Sequence, residues 1–291
     1  MTDITSEILP VTMKDGTKSA ITAFTGSPSV IGPVLICMPA MGVTAKFYQP
    51  LSAHIVSQGW ILVTSDLRGN GCSSIRASKG TDFGYHEMIT YDWPAVIKTV
   101  KNKFPEYPVF LLGHSLGGQL SALYLSANPR CADGLILVAA PSVFYKSWPF
   151  PQNLGVLAGT QIAGFTAAAL GYFPGKKIGF GGTTEAKQVI LDWAHQARTG
   201  RYEPAHSPLD FESLLRELEI HVLAISFKSD FFAPGRAVGH LCGKMSKAQI
   251  TRVELKAEGL SHFDWVRNSG PVIEEIRKWF ATEIPAAKPS R

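Results

Sequence analysis

The string Leu112-Gly113-His114-Ser115-Leu116-Gly117-Gly118 constrains this chain more than any other stretch. Before it runs Val109-Phe110-Leu111-Leu112, short and continuously apolar, as a strand buried on both faces is. After it, Leu116 to Ala127 has the length and residue types of a helix. The G-x-S-x-G pattern therefore falls on a strand-to-helix junction, where its serine sits on a sharp, strained turn. Gly113 and Gly117 carry no Cβ to clash at such a turn. The helix start offers free N–H groups and a positive dipole end to a developing oxyanion.

A serine hydroxyl is a weak nucleophile near neutral pH and needs a base. The sequence holds eight histidines. His114 adjoins the serine, but its side chain is expected to point away at the turn, as a structural or pocket residue. His240 lies inside an expected helix and reads as packing. His262 follows the last expected strand, in Glu258-Gly259-Leu260-Ser261-His262-Phe263, where a base can reach the turn. Asp230, in the loop after the strand His221–Phe227, is the expected carboxylate partner that fixes the imidazole tautomer. Asp264 ranks second because it is too near His262 in sequence. The second oxyanion donor is expected in Met38-Pro39-Ala40-Met41-Gly42-Val43, as the Met41 N–H beside that of Leu116.

Strand-like and helix-like segments alternate along the chain, which implies a mostly parallel sheet flanked by helices. Residues 6–13 and 18–25 read as antiparallel strands turning at Asp15-Gly16. Pro33–Met38 and Trp60–Thr64 read as buried strands. Thr44–Gln58 reads as one helix, with Pro50 in its first turn and Gly59 as its stop. Tyr85–Lys103 reads as a helix kinked or restarted at Pro94. Later come a strand 134–139, the strand His221–Phe227, a helix 235–245, a strand 250–255 and a helix 271–281. The tail 286–291 is expected to fray. Residues 1–140 and 220–291 then form a core, and 141–219 an aromatic-rich, mostly helical cap (lid) over the site. Most of its aromatics are expected to pack the cap onto the core, with a few facing substrate.

With 291 residues and 45% hydrophobic content, the chain can bury one large core. A net charge of +5, with Lys and Arg scattered, gives no nucleic-acid patch. Cys37, Cys72, Cys131 and Cys242 form no CxxC pair, so neither a zinc site nor a redox motif is indicated. The start MTDITSEILP lacks a signal-peptide pattern, and a cytoplasmic location is expected. Leu154–Phe173 carries no charge and is about long enough to cross a bilayer, but its four Gly, two Thr and Gln161 favour an apolar helix pair in the cap. Gly155 and Gly159 form a GxxxG of the kind found in close helix packing.

With GHSLGG and the order Ser115, Asp230, His262, the chain resembles the α/β-hydrolase superfamily over nearly its whole length. Asp66-Leu67-Arg68-Gly69-Asn70-Gly71-Cys72-Ser73 is similar to the D-x-R-G-x-G-x-S turn of that family, a structural landmark. Pro39-Ala40-Met41-Gly42 and Leu170–Lys176 resemble a group of bacterial α/β-hydrolases of poorly defined substrate. Commoner members often carry His-Gly where this chain has Pro39-Ala40, and the HGGG string of one lipase and esterase branch is missing. The resemblance implies an α/β-hydrolase fold and, because the nucleophile is a serine, acyl chemistry.

The expectation is a serine hydrolase with a Ser115–His262–Asp230 triad, an oxyanion hole of the Met41 and Leu116 N–H groups, and no metal or cofactor. It takes a medium-sized, largely apolar acyl substrate: an ester, thioester or lactone. Alternatives are an acyltransferase or C–C bond hydrolase with the same triad, a non-catalytic ligand binder of this fold, and a lipase anchored through 154–173. Partners are a small-molecule substrate, no nucleic acid and no stable membrane span, with a homodimer left open.

Overall fold

The central strands form where the sequence is continuously aliphatic. The structure, a computed structural model, describes residues 3–26 and 32–284, so the expectation for the tail 286–291 lies outside the described residues. In chain order the elements are β1 (Ile4–Thr12), β2 (Lys18–Gly26), β3 (Val34–Met38), α1 (Leu51–Ser57), β4 (Ile61–Ser65), α2 (Tyr85–Glu87), α3 (Trp93–Lys103), β5 (Val109–His114), α4 (Leu116–Ala127), β6 (Gly134–Val138), α5 (Gln152–Leu170), β7 (Tyr172–Phe173), α6 (Gly175–Ile178), β8 (Glu185–Ala186), α7 (Lys187–Thr199), α8 (Phe211–Glu217), β9 (His221–Phe227), α9 (Gly235–Cys242), β10 (Gln249–Leu255) and α10 (Gly270–Glu283).

Among the described residues the main sheet has eight strands in the order β1-β2-β4-β3-β5-β6-β9-β10. β1 and β2 pair antiparallel, as does β2 with β4; from β4 through β3, β5, β6 and β9 to β10 every pairing is parallel. Every residue of β3, β4, β5 and β6 is buried, as in strands covered on both faces. β10, at the edge, alternates between exposed and half-buried positions. Helices flank the sheet. α4 is the deepest of them, with Leu116 to Ser126 all buried. Helix α10 lays Trp279 and Phe280 edge-on against Phe110 of β5.

Parallel strands share a direction, so the carboxyl ends of β3, β5, β6, β9 and β10 lie along one rim of the sheet. The loops that leave this rim carry Met41, Ser115, the segment 141–219, Asp230 and His262. This is where open α/β sheets bind ligands.

Two local expectations are corrected, and the restart expected at Pro94 is found. Residues 44–58 are not one helix: a 3-10 turn, Ala45–Tyr48, is followed by α1, with Pro50 at the junction. Pro50 has no N–H to extend the first turn, but its φ of −58° suits the entry to the second. Residues 85–103 split into α2, a wide π-type turn at Met88–Asp92, and α3, with Pro94 in the first turn of α3. The apolar stretch 154–173 is not a helix pair: it is a single helix, α5, to Leu170, capped by Gly171 with φ of +82°, and then β7.

Between β6 and β9 lie α5, α6, α7 and α8 and the small antiparallel pair β7–β8. α5 packs on α7, and α8 packs on α4, carrying Phe211 and Leu215 into the main core.

Candidate active site

Ser115 stands between β5 and α4 with φ of 51° and ψ of −117°, a backbone conformation that L residues adopt only under constraint. Its neighbours make room. A Cβ on Gly113 would come within 2.2 Å of the Gly118 Cα, and one on Gly117 within 2.2 Å of the Met38 carbonyl oxygen. The turn thus presses the start of α4 against the end of β3, and only glycine permits that approach.

His262 Nε2 lies 3.1 Å from Ser115 Oγ, and His262 Nδ1 lies 2.8 Å from Asp230 Oδ2. Asp230 and His262 are both buried. The other carboxylate oxygen of Asp230 accepts the N–H groups of Phe232 (2.8 Å) and Ala233 (2.9 Å). Both carboxylate oxygens are therefore occupied, and the one facing His262 is fixed in place. Nδ1–H donates to Asp230, which leaves Nε2 free to accept the Ser115 hydroxyl proton.

On the opposite side, Ala40 N–H donates to Tyr48 Oη (2.9 Å), and Val43 N–H to the Ala40 carbonyl (3.2 Å). In α4, the Gly118 and Gln119 N–H groups donate to the Ser115 carbonyl. These bonds leave the Met41 and Leu116 N–H groups unclaimed, and both residues line the pocket that holds Ser115 and His262. That pocket is a cavity of about 200 Å³.

Tyr48 links the two halves of the site. Its hydroxyl lies 2.7 Å from His114 Nδ1 while accepting the Ala40 N–H. Burial, followed by the neighbouring His262 charge, pushes the His114 pKa well below its ordinary value, so the ring stays neutral. A neutral His114 accepts from Tyr48, whose own pKa burial drives well up. The His114 ring lies 4.9 Å from the His262 ring, packed edge-on by Trp265 and Phe263. A neutral ring there adds no positive charge to oppose an imidazolium at His262.

The profile of the family described as "Serine aminopeptidase, S33" matches residues 32–173, from the strand before Met41 through the end of α5. A monoglyceride lipase homolog of monkeypox virus is 34% identical over 92 residues, covering 32% of this chain and 32% of that protein. The monoglyceride lipase of Rattus norvegicus is 32% identical over 92 residues, 32% of this chain and 29% of that one. Protein phosphatase methylesterase 1 of Candida albicans is 32% identical over 108 residues, 37% of this chain and 29% of that one. The chain thus spans about a third of the length of the curated relatives it matches. Among solved structures, an esterase from Pyrococcus furiosus superposes with a TM-score of 0.64 at 14% identity, over 96% of this chain and 91% of that one. The thioesterase domain from the curacin biosynthetic pathway gives 0.58 at 17%, over 95% and 99%.

The chain has the α/β-hydrolase fold.

Within this α/β-hydrolase fold the structure brings together all five residues singled out by sequence: Ser115, Asp230, His262, Met41 and Leu116. Asp264 is elsewhere; it accepts a hydrogen bond from Ser261 Oγ (2.5 Å). His240 contacts Ser142 Oγ and the Phe144 ring. The landmark turn works through Asp66, which accepts the Ala45 and Cys72 N–H groups (2.7 and 2.9 Å). Arg68 of that turn is buried in ion pairs with Asp92 and Asp15. Among the described residues no cluster of three or more His, Cys, Asp or Glu is gathered as a metal site requires.

Sequence reasoning missed Tyr48, Phe232 and the glycine loop 179–182. Tyr48 lies beside Phe47 in the expected helix, and periodicity alone carries no hint that its hydroxyl reaches His114. Phe232 stacks 5.4 Å from the His262 ring, and its place two residues after Asp230 was a usable signal. In the glycine loop, the Gly182 N–H donates to the Gly42 carbonyl (2.8 Å), and Gly181 packs on Gly42. The segment between β6 and β9 thereby touches the loop that carries Met41.

Proposed function

We propose that this protein of α/β-hydrolase fold is a serine hydrolase of carboxylic esters, thioesters or lactones with a medium-sized, largely apolar substrate. The observation that carries the reading is the unbroken chain Ser115 Oγ, His262 Nε2, His262 Nδ1, Asp230 Oδ2, with spacings of 3.1 and 2.8 Å at the base of an aromatic pocket. Spacings of this size allow proton transfer.

In the first half-reaction Ser115 Oγ attacks the carbonyl carbon while its proton passes to His262 Nε2. Asp230 stabilises the imidazolium that forms. The oxyanion is held by the Met41 and Leu116 N–H groups. The tetrahedral intermediate collapses as His262 returns the proton to the leaving alcohol, thiol or lactone oxygen, leaving Ser115 acylated. A water then repeats the cycle: it gives a proton to His262, attacks the acyl carbon and releases the acid. Losing one oxyanion donor typically costs about 3 kcal/mol of transition-state stabilisation. The apolar lining, with Phe180, Trp193, Phe232 and Phe263 around Ser115, supports a substrate with a hydrophobic acyl or alcohol part. Ester hydrolysis by the partly similar monoglyceride lipases and methylesterases supports the same reaction class.

The test is steady-state hydrolysis of p-nitrophenyl esters from acetate to laurate. Turnover that Ser115→Ala abolishes supports the proposal. A well-folded wild type inactive on the whole series, on matching thioesters and on lactones overturns it.

A further inference from the structure

Helix α5 inverts the usual burial of an apolar helix. Leu154, Ala158, Ile162, Phe165 and Ala169 recur at helical spacing, and all are exposed. The residues turned inward are small: Thr160, Ala163, Gly164 and Ala167. A Cβ on Gly164 would lie 3.2 Å from that of Ala194 on α7, so small residues serve the α5–α7 contact. Two of the large side chains are mostly exposed, Phe165 at 76% and Ile162 at 66%, while Val156 packs inward near Val143 and Trp148. Phe150, just before the helix, is 78% exposed. α5 is the one helix among the described residues long and apolar enough to cross a bilayer, yet only 22% of that stretch is buried.

Two further observations say what covers this face. The first is charge. From Val143 to Thr184 the charged residues are Lys146, Lys176 and Lys177, all exposed, one before α5 and two after it. This stretch has cations at both ends and no acidic residue, and Glu203, the exposed carboxylate that lines a pocket with Phe165, is paired with Arg201 and His195. That pattern matches the headgroup boundary of an anionic lipid surface. The second is continuity. A cavity of about 350 Å³ lies beside this face, lined by Gly155, Gly159, Ile162, Phe173 and Phe231 among others. Val143, Phe180, Trp193 and Phe232 line both this cavity and the one that holds Ser115. The expected close packing at Gly155 and Gly159 is absent: added Cβ atoms there would meet nothing within 4 Å. The missing side chains leave space in the groove instead.

We propose that the outer face of α5 is a docking surface for an anionic lipid–water interface. The helix lies on that interface, with Phe150, Leu154, Ile162 and Phe165 among the acyl chains and Lys146, Lys176 and Lys177 at the headgroups. It does not cross, because its inner face stays packed on α7. An amphiphilic ester leaves the interface through the α5 groove and reaches Ser115 without its chain passing through water. That delivery step rests on the proposed ester hydrolysis; the docking does not. A second copy of the chain on the same face would seal the groove, which is why a lipid surface is the better occupant.

The test is flotation with vesicles of phosphatidylcholine alone and of phosphatidylcholine with a quarter phosphatidylglycerol. Wild type and Ser115→Ala should both float with the anionic vesicles, which separates docking from catalysis. Leu154→Ser combined with Phe165→Ser should cut vesicle-bound protein at least tenfold, with turnover of p-nitrophenyl acetate kept. Lys176→Glu with Lys177→Glu should weaken binding to anionic vesicles and leave binding to neutral ones unchanged. The proposal fails if wild type stays with the soluble fraction on both compositions, or if the Leu154–Phe165 double variant floats as well as wild type. It also fails if that double variant only turns a dimer into a monomer while neither protein binds vesicles.

Discussion

The sheet and the segment between β6 and β9 follow opposite rules of burial. In β3, β5 and β6 every residue is buried, and the apolar sequence accounts for it. In α5 the large apolar residues face outward, while two carboxyl groups of the same segment, Glu185 and Asp192, are buried. The difference separates two tasks. The sheet holds atoms still: β5, β9 and the loop after β10 bring three side chains within hydrogen-bond reach. The segment between β6 and β9 lines the pocket around them and carries an open groove and an apolar outer face.

Substitutions can break or sharpen this contrast. The largest effect belongs to the rigid side. Asp230→Asn keeps the shape but favours the wrong imidazole tautomer, and ester turnover should fall by about 10⁴-fold with KM little changed. Steady-state kinetics check this. Next is Tyr48→Phe, which strips the Ala40 N–H and His114 Nδ1 of a shared partner. It should cost about 1–3 kcal/mol of stability for each group left unsatisfied. The loosened Met41 loop should lower kcat by about 10- to 100-fold. Denaturant unfolding and kinetics measure the two effects separately.

A pair of glycines tests the contrast directly. Gly117→Ala drives a Cβ into the Met38 carbonyl and should destabilise by about 1–3 kcal/mol or more. Gly159→Ala meets only open space inside a helix and should stabilise by about 0.5–1 kcal/mol. Equal unfolding midpoints for the two variants would erase the distinction between a packed core and an open groove.

The smallest effect concerns Glu185, whose side chain accepts a hydrogen bond from Thr183 Oγ1 (2.5 Å). Burial raises its pKa above the ordinary 4.5, against the hydrogen bond from Thr183. The fold therefore favours the protonated acid. That contribution is fully present below pH 4.5 and is lost as the pH rises through the raised value. Glu185→Gln carries no charge at any pH, so its melting temperature should gain on wild type between pH 4.5 and 8. A constant difference across that range would contradict the raised pKa.

The sheet and the site were legible in the sequence for the same reason. Strands buried on both faces must be apolar throughout, and a serine at a strand–helix junction needs glycines at fixed offsets. The helix Leu116–Ala127 and the strand His221–Phe227 accordingly lie where their patterns put them. The inserted segment was less legible because hydrophobicity was a poor guide to burial there. Leu154–Phe173 reads as something to hide, yet Leu154, Ile162 and Phe165 stay outside once Ala163, Gly164 and Ala167 supply the contact with α7. Tyr48 was illegible for another reason. Its partners, Ala40 and His114, lie 8 and 66 residues away, and no local period encodes a hydroxyl's reach.

The central claim is that Ser115 is poised as a nucleophile by His262 and Asp230. A fluorophosphonate followed by peptide mass spectrometry tests it most directly. The account predicts one adduct per chain, located on Ser115, whose rate of formation drops sharply in His262→Ala. An adduct on a different residue, or labelling of Ser115 that is just as fast without His262, would contradict it.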